Sequence, residues 1–395
     1  MKIVSVQTTQ LRIPSVVGLW HSGWAGAETA GTRDIVLVKI ETSDGTVGLG
    51  DTEPSIRSEP TGTVMELINK ELGPILIGQD PMQSMQRFHD LLNKVGFHNG
   101  ELFPFSKHPL ISALFDIKGK ILNVPAYELL GGAYKKEVPC MPRAYVWYTS
   151  PDGKSRLRHT HEEIRKKIEA DRRGGFQGWG YAIKVGAGGL PLEYDLQTMK
   201  VARETIGNND EIIYADANNA WDVKTAIQRI RKMEQYGPMA MEEPTYIWDI
   251  DGHATIRAAV ESKVMTDANM WNAFEARLFI QKQAADVFIL YPSQCGGIDM
   301  MKFLADWAEA YGIEAATADT ATGIGQAACL HGVAATRSMF RNPMCQINGP
   351  MELADDIIKG GPMKYVNGRL NVPEGPGLGV ELDEKKARHY MVGSE

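Results

Sequence analysis

Apolar and polar positions change rhythm along this chain, and the changes divide it. Residues 2–13 (KIVSVQTTQLRI) alternate and predict a strand. Residues 34–51 (DIVLVKIETSDGTVGLGD) predict a hairpin turning at Asp44-Gly45. Between them lies a glycine-rich loop carrying Trp20, His21 and Trp24. From about residue 61 to 130 apolar positions fall three and four apart, the helical period, with a second loop at 96–108 that contains His98. This part reads as α+β, strands first and helices after.

Beyond residue 137 the rhythm alternates between short apolar runs and amphipathic stretches. The strand candidates are PCMPRAYVW, GWGYAIKVG, EIIYAD, AMEE, VMTD, DVFILY, IEAAT and MCQIN. Helical segments such as DVKTAIQRIRKMEQYG and MMKFLADWAEAYG separate most of them. Eight strands with intervening helices suggest a closed (β/α)₈ barrel, with an open doubly wound sheet as the rival.

Four residues sit at or beside the ends of consecutive strand candidates: Lys184, Asp216, Glu242 and Asp267, with gaps of 32, 26 and 25 residues. One strand-helix unit of such a barrel takes about 30 residues, and strand C-termini form its catalytic face. Three converging carboxylates repel one another unless a divalent cation lies among them, and oxygen ligands suit Mg²⁺. A lysine beside that cation is a candidate base. Such lysines are tuned to ~7–8 by burial and nearby positive charge. Singly, each acid is also explained as a solvated carboxylate at a helix N-terminus; the ordered set is not.

Composition narrows the class. The chain has 395 residues, 43% hydrophobic and 23% charged, with a net charge of −7 that argues against a nucleic-acid surface. No apolar run approaches the ~20 residues of a bilayer span, and the N-terminal segment lacks a signal-peptide core. The four cysteines are scattered, without C-x-x-C, so neither a disulfide framework nor structural zinc is expected. A cytoplasmic setting follows as the expectation. Residues 184–190 (KVGAGGL) fail as a dinucleotide fingerprint, because Pro191 stands where the third glycine belongs. His159 and His161 are two apart and share no helix face.

Taken in order, SALFDIKGKILNVPAYELLGG (112–132), AIKVG (182–186), DANNAW (216–221), MEEP (241–244), MTD (265–267), GGI (296–298) and PGLGVELDE (376–384) resemble the mandelate racemase/muconate lactonizing enzyme branch of the enolase superfamily. The resemblance implies a modified (β/α)₈ TIM barrel (137–369) closed by an N-terminal α+β capping domain (1–136), which the C-terminal tail (370–395) completes. It implies Mg²⁺ on Asp216, Glu242 and Asp267, a small carboxylate substrate, and abstraction of the proton beside that carboxylate to give an enediolate. A homo-oligomer is also implied. Asp267, rather than Glu, lies nearer the muconate lactonizing side. Asn218 and Glu243 belong beside the ligands rather than among them, with Asn218 grouped with substrate contacts.

Three positions depart from the family. Ala182 replaces the first lysine of K-x-K; Tyr291 stands where Lys or Asp is usual; and the seventh strand offers Ala318-Asp319 instead of a histidine dyad. Without an opposite-face base, dehydration of a sugar acid or related hydroxy acid is the expected reaction. A racemase, epimerase or cycloisomerase using Lys184 with Tyr291 or Asp319 is the alternative, and a barrel that has lost turnover is a third. Tyr291 is read as an acid or a packing residue, and Asp319 as an acid, a substrate partner or a helix cap. Arg143, Trp20 and His21 are candidate substrate contacts, the last two on a loop suited to closing over the site.

Overall fold

The computed structural model describes residues 1–14, 32–54, 59–83, 104–150, 155–186, 189–207, 211–267, 272–319, 322–341, 346–347 and 353–393. Trp20, His21, Trp24 and His98 lie outside these ranges, as does the side chain of Asp319.

Strands β1 (Ile3–Pro14), β2 (Thr32–Thr42) and β3 (Val47–Thr52) form an antiparallel sheet in that order. The expected hairpin is β2–β3. The helix Pro104–Leu122 packs on β3 so closely that a Cβ at Gly48 or Gly50 would lie 2.2 Å from the Ala113 carbonyl oxygen or 1.9 Å from that of Pro109. Only glycine admits that approach.

The run read as one strand, PCMPRAYVW, is broken. Its N-terminal end joins β4 (Glu137–Pro139); β5 (Arg143–Ala144) and β6 (Trp147–Thr149) follow, and β6 pairs with β7 (Arg156–Arg158). Pro139 and Pro142 supply no ladder donors, which divides the run. The next strands match their candidates: β8 (Tyr181–Lys184), β9 (Ile213–Asp216), β10 (Met239–Glu242), β11 (Lys263–Thr266), β12 (Val287–Ile289) and β13 (Glu314–Ala316). With β5 they make one curled seven-stranded parallel sheet of the TIM-barrel type, ordered β5-β8-β9-β10-β11-β12-β13. The eighth candidate appears as a short parallel pair, β14 (Ala318–Asp319) with β15 (Gln346–Ile347), rather than as a closing strand among the described residues. Finally, β16 (Arg369–Asn371) runs antiparallel to β4.

Side chains alternate across the parallel strands. Met141, Ala182, Tyr214, Ala240, Met265, Val287, Ile289 and Ala316 fill the barrel interior. Ile183, Ala215, Met241 and Val264 face outward against helix residues such as Met199, Ile230 and Ile256. The helices begin on well-formed caps. Asp222, Asp249, Asn272 and Thr322 each accept a backbone N–H of the following turn. The HTHEE segment opens a helix, with a reciprocal capping box between Thr160 and Glu163. The tail returns to the first sheet: Val392 N–H donates to Gln10 O at 2.9 Å, and Arg12 N–H to Tyr390 O at 2.8 Å. No helix among the described residues is long and apolar enough to cross a membrane.

Candidate active site

Strand register builds the site. Lys184 on β8 pairs with Asp216 on β9, and Asp216 pairs with Glu242 on β10. Parallel neighbours lie about 4.8 Å apart, so the amine and two carboxylates form one row across three strands. Glu242 in turn pairs with Met265 on β11. Asp267, two residues on, therefore shares the inward face one layer higher. All four side chains are buried. Below each, two residues back, lies an apolar or aromatic floor: Ala182, Tyr214, Ala240 and Met265. The same alternation that packs the barrel aims the charged residues at its mouth.

The Lys184 ammonium donates to Asp216 Oδ2. Asn218 orients the same carboxylate, with its N–H 2.8 Å from Oδ1 and its Nδ2 3.2 Å from Oδ2. Asn219 Nδ2 holds Glu243 Oε2 at 2.8 Å, and Asn219 N–H meets the Glu243 carbonyl at 2.8 Å. Asn218, Asn219 and Glu243 all have positive φ (46°, 61° and 41°). For a glutamate this is a costly conformation, and such strain collects at functional sites.

Burial pushes the Glu242 carboxyl well above the usual range, Asp216 and Asp267 push it the same way, and Lys184 opposes them. Tyr214 responds too: burial, then the charges of Glu242 and Asp216 and a hydrogen bond to Glu242, hold its phenol well above the ordinary value. Both directions follow from the burial of the carboxylates and their closeness across neighbouring strands. Among the described residues, no three metal-ligating side chains yet converge on a single point. The Asp216 oxygens face Lys184 and Asn218 instead, so a cation would require that carboxylate to turn. As donors, three hard oxygen groups whose mutual repulsion a single lysine only partly offsets fit a divalent ion such as Mg²⁺.

Three neighbours escaped the sequence reading. Tyr214 was hidden as an ordinary strand tyrosine, though its place two before Asp216 was a usable signal. Gln294 is buried and donates through Nε2 to the Asp267 carbonyl oxygen. Tyr145 lies two residues beyond Arg143, whose register partner is Ala182, so it continues the row beside Lys184. The Lys184 Nζ stands 5.7 Å from the Tyr145 ring centroid, and Arg143 Nη1 donates to the Tyr145 hydroxyl at 2.7 Å.

Tyr291 is half-buried and packs on the barrel-interior cluster. The cap of helix Gly323–Ala334 is Thr322, whose hydroxyl accepts the Ile324 N–H at 3.2 Å, so the capping role considered for Asp319 falls to it. Thr322 N–H also reaches Asp51 Oδ2 of β3 at 3.0 Å, tying the first sheet to the barrel.

Comparison with known proteins identifies the family and the fold. Residues 163–386 match the "Enolase C-terminal domain-like" family model, and residues 20–131 match "Mandelate racemase / muconate lactonizing enzyme, N-terminal domain". The N-succinyl-L-Arg/Lys racemase of Bacillus cereus is 28% identical over 361 residues, 90% of each chain. Its crystal structure superposes with a TM-score of 0.86, covering 99% of this chain and 98% of that one at 24% identity. Chloromuconate cycloisomerase of Cupriavidus pinatubonensis is 27% identical over 365 residues, and arabinonate dehydratase of Saccharolobus solfataricus 29% over 363, each covering 91% of both chains. The chain belongs to the mandelate racemase/muconate lactonizing enzyme family of the enolase superfamily.

Proposed function

We propose that this protein removes the proton beside the carboxylate of a small hydroxy acid and expels water from the neighbouring carbon, as a sugar-acid dehydratase. Lys184 is the base. Asp216, Glu242 and Asp267 would hold Mg²⁺, which, when bound, supplies the positive charge that stabilises negative charge growing on the substrate carboxylate. Lys184 is steadied between Asp216 and the face of Tyr145, which fixes the amine at the mouth-side end of its strand. Asn218 orients the Asp216 carboxylate, and Gln294 fastens the backbone at Asp267. Burial of the whole row excludes water from the reacting centre.

One observation carries the choice of dehydration. The row has a single amine on one side, and the inward positions at the exits of β12 to β14 offer Tyr291 and Ala318 rather than a lysine or histidine. Racemisation needs a proton donor on each face, whereas elimination can proceed from one. The likeness to arabinonate dehydratase supports this reading. The likeness to a racemase and a cycloisomerase, together with Tyr291 at the β12 exit, favours isomerisation as the second reading.

Incubation with Mg²⁺ and a panel of aldonic and aldaric acids, arabinonate included, tests the choice. A 2-keto-3-deoxy product supports dehydration. Deuterium entry at the α-carbon from D₂O with every hydroxyl retained transfers the assignment to isomerisation.

A further inference from the structure

We propose that Tyr145, held by Arg143, is the proton donor to the departing hydroxyl; this rests on the dehydratase reading above. Three observations carry it. Register places Tyr145 next to Lys184, on the same wall of the barrel mouth, because Arg143 pairs with Ala182 and both chains advance two residues. The flanking Ala144 and Val146 face the outer core, which leaves Arg143 and Tyr145 directed inward. The Arg143 guanidinium donates to the phenolic oxygen at 2.7 Å, which sets a fixed positive charge against the atom that would carry the conjugate base's negative charge.

The arrangement has the properties an acid needs. A hydrogen bond from a guanidinium strengthens as the oxygen it meets becomes negative. Arginine cannot give up its own proton at working pH, so the phenol is the donor and Arg143 the group that holds its conjugate base. Both cations lie against one ring, with Lys184 Nζ at 5.7 Å and the Arg143 guanidinium carbon at 5.4 Å from the centroid. Base and acid therefore reach the substrate from the same side, the geometry of a syn elimination.

The step balances. The electron pair of the C2–H bond first moves onto the substrate carboxylate as an enediolate, and then becomes the C2–C3 double bond as the C3–O bond breaks. Lys184 holds the C2 proton as an ammonium, and the hydroxyl leaves as water with the proton of Tyr145. The enol product then takes a proton at C3 and gives one up from oxygen, yielding the 2-keto-3-deoxy acid. The proton on Lys184 returns to solvent and Tyr145 recovers one, so the net change is loss of one water.

Tyr145→Phe tests this, because it keeps the ring against Lys184 and removes only the hydroxyl. Take the panel acid that the wild type dehydrates fastest, with Mg²⁺ in D₂O. The variant should lose water release by about 10²-fold or more, the range for general acids, while hydrogen exchange at C2 stays within a few-fold of wild type. With the 3-deoxy-3-fluoro analogue, whose leaving group needs far less protonation, elimination should recover most of the loss. Arg143→Met should also slow water release more than exchange. The proposal is overturned if Tyr145→Phe releases water at the wild-type rate. It is equally overturned if exchange and both eliminations fall together, since that pattern marks a packing role. If the wild type itself releases no water from any acid, the dehydratase reading fails first and takes this proposal with it.

Discussion

The Gly186 N–H donates to Asp195 Oδ1 at 3.0 Å, and Asp195 is wholly buried. That bond clamps the chain two residues beyond Lys184. The other Asp195 oxygen accepts from Arg229 Nη1 at 2.8 Å, and the same nitrogen reaches the Leu190 carbonyl at 3.1 Å. The Arg229 guanidinium lies over Trp221, 5.3 Å from the ring centroid. Trp221 fills the space where a Gly186 side chain would go, 2.5 Å from the Cβ position, and Gly186 has φ +68°. Backbone and side chains thus hold the exit of β8 from two sides.

Breaking the clamp should cost stability and activity together. Asp195→Ala leaves Arg229 without its buried partner, an effect of about 3 kcal/mol. Asp195→Asn retains an acceptor for Gly186 and should lose less. Urea midpoints rank the two. Gly186→Ala should resemble Asp195→Ala, since it combines a left-handed backbone with a clash against a packed ring. A Gly186→Ala protein with unchanged midpoint and unchanged turnover would show that the exit of β8 is not constrained.

The strand ends that carry Lys184, Asp216, Glu242 and Asp267 were legible because each closes an apolar run and the length of a strand-helix unit fixes their spacing. Their exact neighbours were not. Tyr145 stands beside Lys184 only through the pairing of Arg143 with Ala182, segments about 40 residues apart in sequence. Asp195 stands in the first turn of a helix, an ordinary place for an acid, and nothing in its spacing shows that it turns back onto Gly186. PCMPRAYVW has strand composition, yet Pro139 and Pro142 outweigh that preference. The cap at Gly323 came from Thr322 rather than Asp319 because the hydroxyl lies one residue before the first helical position, where it reaches the Ile324 N–H.

Glu242→Gln should separate stability from metal response. In the protein alone it removes one of three like charges from a buried space, where burial and both neighbours already oppose its ionisation. Without Mg²⁺ the variant should therefore melt above the wild type. Added Mg²⁺ should raise the wild-type melting temperature, by about 2.7 kcal/mol of stabilisation at a hundredfold excess over Kd, and should move the variant little. Equal Mg²⁺ shifts in both proteins would remove Glu242 from the ligand set.

Lys184→Ala and Asp216→Asn should fail in different ways. The first deletes the base, so exchange of the α-proton in D₂O should drop by about 10³-fold or more while a Mg²⁺-dependent melting shift persists. The second should weaken that shift and regain part of its turnover at high Mg²⁺. Exchange at the wild-type rate in Lys184→Ala would place the base elsewhere.

Acid should loosen the joint between barrel and tail through His331. Its Nδ1 accepts the Tyr127 N–H at 3.3 Å, and its Nε2–H donates to the Leu378 carbonyl at 3.1 Å, the pattern of a neutral ring. Burial lowers its pKa to about 4, from about 6.5 in an unfolded chain. The folded value is depressed, so folding favours the unprotonated ring. The stability this represents is complete above pH 6.5 and is withdrawn as pH falls toward 4, about 2 kcal/mol of it by pH 5. His108 and His253, lowered by burial to about 3 and about 4, act in the same direction. Other buried groups titrate in this range, so the comparison is made with His331→Gln, whose amide can accept from Tyr127 and donate to Leu378 without gaining charge. The variant should be less stable than wild type at pH 7.5 by the cost of imperfect packing. At pH 5 the gap should close or invert by about 2 kcal/mol in urea unfolding. The same gap at both pH values would mean that His331 stays neutral in the unfolded chain as well, or protonates in place without penalty, and either result would remove it as a source of acid lability.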